Sequence, residues 1–281
     1  METKETKATA NVSKKPAAKK SAGFKGIRNA IWVIVICMII AVIIFLTVFG
    51  NPANFAGNDT ANKSINMLGT IYKGGFVVPV IHGMFLTVVA LVVERALALR
   101  TAFGKMKLYE FADGIRKAMA TDDLNAAQAL CDKQGGSVAA VVSAALQRYA
   151  TEAADDTKTK KDKLESIKGA LDDATAVEMP TLQMNLPILG VLTTLGVLTG
   201  LLGTVLGMIK SFAALSAGGG ADSSALSEGI SEALVNTASG IATSALAMIF
   251  YNFYTNRIDK MTYTLDEVGF IIVNAFAKSH K

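Results

Sequence analysis

The sequence predicts an all-α, polytopic membrane protein: four transmembrane helices and a helical domain in the cytoplasm. Three observations carry that prediction. Of 281 residues, 51% are hydrophobic and 18% charged, a more apolar balance than a water-soluble domain shows. Four stretches each approach the ~20 apolar residues that a helix needs to cross ~30 Å of hydrocarbon. Between the second and third lies a charge-dense segment, too polar for lipid and patterned for helix.

Taken in order, residues 1–28 are basic, with Lys4, Lys7, Lys14, Lys15, Lys19, Lys20, Lys25 and Arg28 against Glu2 and Glu5. They read as a disordered cytoplasmic tail, because positive charge is retained on that side. An arm for anionic lipid or nucleic acid is the rival reading, and no nucleic-acid partner is expected. Residues 29–50, "NAIWVIVICMIIAVIIFLTVFG", contain no charge and form the first span. A cleaved signal peptide is the alternative, but the apolar core is too long, and Ala53 and Ala56 lack the A-x-A spacing of a cleavage site.

Residues 51–75 make a periplasmic loop and residues 76–99 the second span. That span ends in Glu94, Arg95 and Arg100, with Lys105 and Lys107 beyond, which places this end in the cytoplasm. Residues 100–185 form the cytoplasmic helical domain. In "TDDLNAAQALCDKQGG", Thr121 is read as an N-cap, acids fill the first turn, and Gly135 and Gly136 end the helix. "SVAAVVSAALQRYA" and "DKLESIKGALDDATAVEM" continue as amphipathic helices up to Pro180. The third span covers 186–212, a periplasmic loop 213–228, the fourth span 229–255, and a cytoplasmic helical tail 256–281 begins with Arg257 and Lys260. Both termini are then cytoplasmic.

Several functions are not supported. Cys37 and Cys131 lie in an apolar run and a charged segment, which suggests neither a disulfide nor a metal site. No phosphate-binding loop and no convergent nucleophile, base and oxyanion donors are present, so no enzyme and no cofactor are expected.

What remains is the third span, "LTGLLGTVLGMIKSF" at its outer end. At ~100° per residue, Thr193, Gly196, Gly203, Thr204 and Gly207 fall within about 60° of Gly200. Gly196/Gly200 and Gly203/Gly207 have the small-xxx-small spacing that lets membrane helices approach closely. The fourth span repeats the device: Ala233, Gly240, Ser244, Ala247 and Tyr251 lie within ~80° of Thr237. A small, hydroxyl-lined stripe suits a proton or ion path, and equally a close-fitting helix. Between Leu186 and Phe212, and between Leu234 and Thr255, the ionisable side chains are Lys210, Tyr251 and Tyr254. Threonine does not titrate near neutral pH, so an acid that relays protons must come from a partner.

"LTGLLGTVLGMIKSF" followed by a short loop and "EGISEALVNTASGIATSALAMIFYNFY" resembles the paired helices of the MotA/TolQ/ExbB proton-channel family. "GGFVVPVIHGMFLTVVALVVERALAL" is similar to its preceding span, and the likeness is greatest to ExbB, with TolQ close behind. Two departures stand out: Val197 occupies a place where the family often has proline, and the span at 29–50 precedes the three that the family shares.

The resemblance implies a homo-oligomer, a pentamer in this family, whose third and fourth spans line a pore around an ExbD-like single-span partner bearing a membrane aspartate. It further implies a TonB-like protein that transmits the movement, and the inner membrane of a Gram-negative bacterium. Thr204, Thr237, Asn236 and Ser244 are then expected on the proton pathway. Thr193, Gly196, Gly200, Gly203, Gly207, Ala233, Gly240 and Ala247 are expected to pack a partner helix, and Glu232 to mark the periplasmic entrance or to pair with Lys210. A TolQ-like envelope role, a MotA-like or gliding motor, and a non-conducting scaffold are the alternatives. His82 is read either as a relay group or as a bond to a neighbouring helix.

Overall fold

The computed structural model describes residues 26–27, 29–217 and 223–280. The tail read over 1–28 thus lies outside the described residues except at Gly26 and Ile27, and so do residues 218–222 of the loop read over 213–228. Among the described residues the backbone is α-helical, with no strand beyond one antiparallel bridge between Phe55 and Ser64. Four helices are long and apolar enough to cross a membrane.

The first, α1 (Ala30–Ile44), continues through a π-helical turn to Phe49. It buries Ala30, Cys37 and Ala41, while Ile31, Trp32, Ile36 and Ile43 are each more than half exposed. A helix apolar all round has lipid as its solvent on the uncovered side. The following loop is folded rather than loose. Asn54 donates through Nδ2 to the carbonyls of Val48 and Phe49 at 2.7 and 3.0 Å, satisfying groups that the end of α1 leaves orphaned. Tyr72, at the end of the short α2 (Met67–Tyr72), stacks on Phe45 with ring centroids 4.8 Å apart.

α3 (Val77–Phe103) carries Pro79 in its first turn, where a missing N–H costs no helical bond. α4 (Leu108–Ala120), α5 (Leu124–Gln134), α6 (Gly136–Ala153) and α7 (Lys160–Gln183) follow, then α8 (Leu186–Ala217) and α9 (Ser223–Ser279). α9 has 57 residues, a length of about 85 Å, enough to cross a membrane and continue into the helical bundle. Its distal half contributes Met261, Leu265, Val268, Ile272 and Phe276, all 2% exposed or less, to a core shared with Phe111, Ile115, Val142 and Tyr149.

Three local expectations are corrected. Asp123, not Thr121, caps α5, because its carboxylate accepts from the Ala126 N–H at 2.9 Å while Thr121 ends α4. α7 runs through Pro180 to Gln183. The stretch read as a loop at 213–228 is helical up to Ala217 and again from Ser223.

Where α3, α7 and α8 converge, a charged pair is buried. Arg95 is 0% and Glu94 5% exposed. Arg95 donates to both Glu94 oxygens at 2.5 and 2.6 Å and to the carbonyls of Thr181 and Leu182 at 3.4 and 3.3 Å, capping the end of α7. The Ile27 N–H donates to Glu94 at 2.7 Å and Asn185 donates to the Ile27 carbonyl at 3.1 Å, so the chain ahead of α1 is bracketed onto the same joint. Breaking a buried pair by removing one partner costs ~3 to 5 kcal/mol. Arg95→Leu is therefore expected to lower the melting temperature of the purified protein sharply, with Glu94→Gln added to it restoring part of the loss; an unchanged melt in Arg95→Leu contradicts the assignment.

In the bundle, burial, aided by the charge of Asp132, pushes the Cys131 thiol from its ordinary 9.0 up to about 12. The folded state then holds a proton that the unfolded state releases, so this contribution to stability is intact below pH 9 and is lost as pH rises toward 12. Cys131 should not react with iodoacetamide at pH 8 until the protein is denatured, as mass spectrometry will show; fast native alkylation contradicts its burial.

Candidate functional site

The two stripes of small residues face one another along the α8–α9 seam. A methyl built on Gly196 lies 3.0 Å from the Gly240 carbonyl and the Ser244 nitrogen, and one on Gly200 lies 3.1 Å from the Asn236 carbonyl. At Gly207 it lies 2.8 Å from the Gly229 carbonyl and 2.9 Å from the Ala233 nitrogen. The backbones themselves are in contact, and Ala233 and Ala247 are buried at 3% and 0% exposure. Of the residues expected to pack a partner helix, Thr193, Gly196, Gly200, Gly203, Gly207, Ala233 and Gly240 lie along this seam within the chain. Within this chain the glycine face is covered by α9.

Gly203 has a specific reason to lack a side chain, since its Cβ would fall 2.5 to 2.8 Å from three atoms of the Asn236 side chain. Asn236 is 0% exposed and donates through Nδ2 to the Gly74 carbonyl at 2.9 Å, which ties the turn before α3 to the seam. It is therefore a clamp between elements and not an accessible group along the seam. Ser244 is likewise committed: 5% exposed, its hydroxyl donates to the Thr193 carbonyl across the seam.

Thr204 and Thr237 differ from these. Both are half-buried, and their hydroxyls meet each other across the seam. Thr204 also reaches the Gly200 carbonyl at 3.2 Å, and Thr237 the Ala233 carbonyl at 3.1 Å. Each hydroxyl has one proton and two lone pairs. Once one donates to the other and the second to a carbonyl, spare lone pairs remain at the exposed edge. Such a pair accepts a hydrogen bond from water or a protonated acid without giving up its own.

About 1.4 turns before Thr237 along α9, Glu232 is 7% exposed and bonds Lys210 at 3.0 Å. Gly75, at φ +76, takes a left-handed conformation directly against the Glu232 carboxylate, which any Cβ there would strike. Sequence reading placed Glu232 correctly beside Lys210 as one of its two options, but missed Gly74 and Gly75, and treated Glu94 and Arg95 only as flanking charge. An acid next to an arginine at the end of a span was the available signal for the last two.

Over residues 134–267 the chain matches the MotA/TolQ/ExbB proton channel family. An ExbB-like biopolymer transport protein of Synechocystis sp. is 38% identical over 87 residues, 30% of this chain and 41% of that protein. The biopolymer transport protein ExbB of Helicobacter pylori is 37% identical over 93 residues, 33% of this chain and 63% of its own length. The Tol-Pal system protein TolQ of Pseudomonas aeruginosa is 32% identical over 98 residues, 35% of this chain and 42% of its own. The matched stretch thus spans less than two thirds of each of these relatives.

Overpacking a tight contact costs ~1 to 3 kcal/mol. Gly203→Ala is expected to displace Asn236 and lower the melting temperature, and Gly200→Leu to separate α8 from α9, which a disulfide engineered across the seam will register as lost. Wild-type melting and crosslinking in both variants contradict the seam.

Proposed function

We propose that this chain, whose residues 134–267 are of the MotA/TolQ/ExbB proton channel family, is the multi-pass subunit of an inner-membrane motor that converts proton motive force into mechanical work. The reading is of the ExbB kind: it serves TonB-dependent transport at the outer membrane of a Gram-negative cell, through a TonB-like protein, as a homo-oligomer and by resemblance a pentamer. An ExbD-like single-span partner supplies the proton-carrying aspartate. No cofactor takes part. Both termini and the α4–α7 bundle face the cytoplasm.

The observation that carries this reading is the Thr204–Thr237 hydroxyl pair, half-exposed in stretches of α8 and α9 that hold no carboxylate or histidine. With the glycine face covered, a partner span meets the outer edge of the seam, where Leu201, Val205, Leu234 and Ile241 are each at least 50% exposed. An apolar wall with one hydroxyl pair lets an acid be neutral against the leucines and hydrogen-bonded at the threonines. The TolQ relative of Pseudomonas aeruginosa favours, as a second reading, the same subunit in envelope maintenance.

Thr→Val keeps shape and removes the hydroxyl, and a membrane hydrogen bond averages only ~0.6 kcal/mol, so Thr204→Val and Thr237→Val should still assemble with the partner. Charging an acid near the bilayer centre costs at least ~2.5 kcal/mol, and losing a hydroxyl that can turn its proton from the helix carbonyl to the carboxylate raises that barrier. Proton flux into vesicles holding chain and partner should therefore fall at least tenfold in both variants and stay normal in Thr194→Val, which is exposed on another side of α8. Full flux in both variants sinks the site, and no flux in the wild type with its partner favours a scaffold. For the topology, a cysteine at Asn58 should react with an impermeant thiol reagent in spheroplasts and one at Asp156 should not; labelling at Asp156 overturns the orientation.

A further inference from the structure

α9 carries a second polar stripe, on the side turned toward α3. Glu232, Asn236, Ser239 and Thr243 recur at i, i+4, i+7 and i+11, within about 60° of arc. Asn236 holds Gly74, Glu232 lies against Gly75, and Ser239 and Thr243 share a cavity of about 160 Å³ with Ile81, His82 and Phe85 of α3. This stripe does not include Thr237, Gly240 or Ser244, which face α8.

Two polar atoms along it lack a protein partner among the described residues. The first is Asn236 Oδ1, which is buried. The second is Nε2 of His82. Its Nδ1 lies 2.9 Å from the Val78 carbonyl, and a carbonyl only accepts, so Nδ1 carries the proton and Nε2 presents a lone pair. Phe49 of the first span packs edge-on against the imidazole with centroids 5.3 Å apart. The cavity, open on one side, is several times the ~30 Å³ that a water occupies, and His82, Ser239 and Thr243 are the polar residues of its lining. No Asp, Glu, Lys or Arg occurs in residues 29–50, 76–93 or 236–255, so no charge on these spans faces the imidazole; Tyr251 and Tyr254 lie toward the other end of α9. The nearest charge along the stripe is Glu232, paired with Lys210 and about 16 Å from Thr243 along the helix.

We propose that this cavity holds water and that His82 is a proton-binding residue lining it. A protonated water gives its proton to the Nε2 lone pair, forming an imidazolium that still donates through Nδ1 to Val78, and leaves neutral water behind. The chain thereby carries a titratable group of its own, apart from the acid that a partner would bring. What the bound proton is used for rests on the channel reading; that the site binds water and a proton does not.

The test uses the full-length protein in lipid bilayers, labelled with ¹⁵N-histidine. The chain has two histidines, and His280→Gln assigns the other signal. The expected result is a single Nδ1–H tautomer of His82 at pH 8, in magnetisation contact with water, that becomes doubly protonated on acidification to pH 5. Replacing Ser239 with Ala and Thr243 with Val should abolish the water contact. A His82 signal that is dry, or unchanged down to pH 5, overturns the proposal while leaving the channel reading intact. With the acid-bearing partner added, His82→Gln should cut proton flux at least tenfold. Wild-type flux in that variant overturns the transport role, whereas absent flux in the wild type defeats the channel reading and leaves the proton site standing.

Discussion

The close contact of α8 and α9 is the constraint on which the rest depends. Where two backbones touch, side chains have no room, so the seam must be built from Gly196, Gly200, Gly203, Gly207 and Gly240, and any polar residue beside it is placed by the backbone rather than by its own packing. In a membrane there is little hydrophobic drive between helices, and shape complementarity with hydrogen bonds takes its place. Ser244 bonding across to Thr193, and Thr204 meeting Thr237, follow from that approach. Glycines that seem to weaken a span instead fix the depth at which the two hydroxyls meet.

Both ends of the seam are fastened by charge. At one end Glu232 joins α9 to α8 through Lys210 and presses on Gly75. At the other Arg95 and Glu94 gather α3, the end of α7, the start of α8 and the chain ahead of α1. Because α9 continues unbroken from the seam into the bundle core at Met261 and Phe276, a tilt of the membrane half is carried directly to the helical domain.

Much of this was legible in the sequence, because uninterrupted apolar runs and 3.6-residue periodicity state which segments span and which faces are special. The stripe around Gly200 was read correctly as a face of close approach. Periodicity says nothing, however, about which surface covers a face, and the covering helix proved to be the chain's own α9. Asn236 illustrates the same limit: its place beside Thr237 was plain, but its bond to Gly74 joins residues 162 apart. Thr121 and Asp123 are both good capping residues, and only the geometry at Ala126 decides between them. The second stripe of α9 has a spacing that can be read from sequence, yet it acquires meaning only when His82 of α3 is set beside it.

In the proposed complex a partner's acid reaches the Thr204–Thr237 pair from the exposed edge of the seam. The most direct measurement is disulfide formation in the assembled complex between a cysteine replacing the partner's membrane aspartate and single cysteines in this chain. Thr204→Cys and Thr237→Cys should each crosslink to it. Leu202→Cys, 54% exposed and about 160° away around α8, should not. Crosslinking at position 202 with none at 204 or 237 would contradict the account.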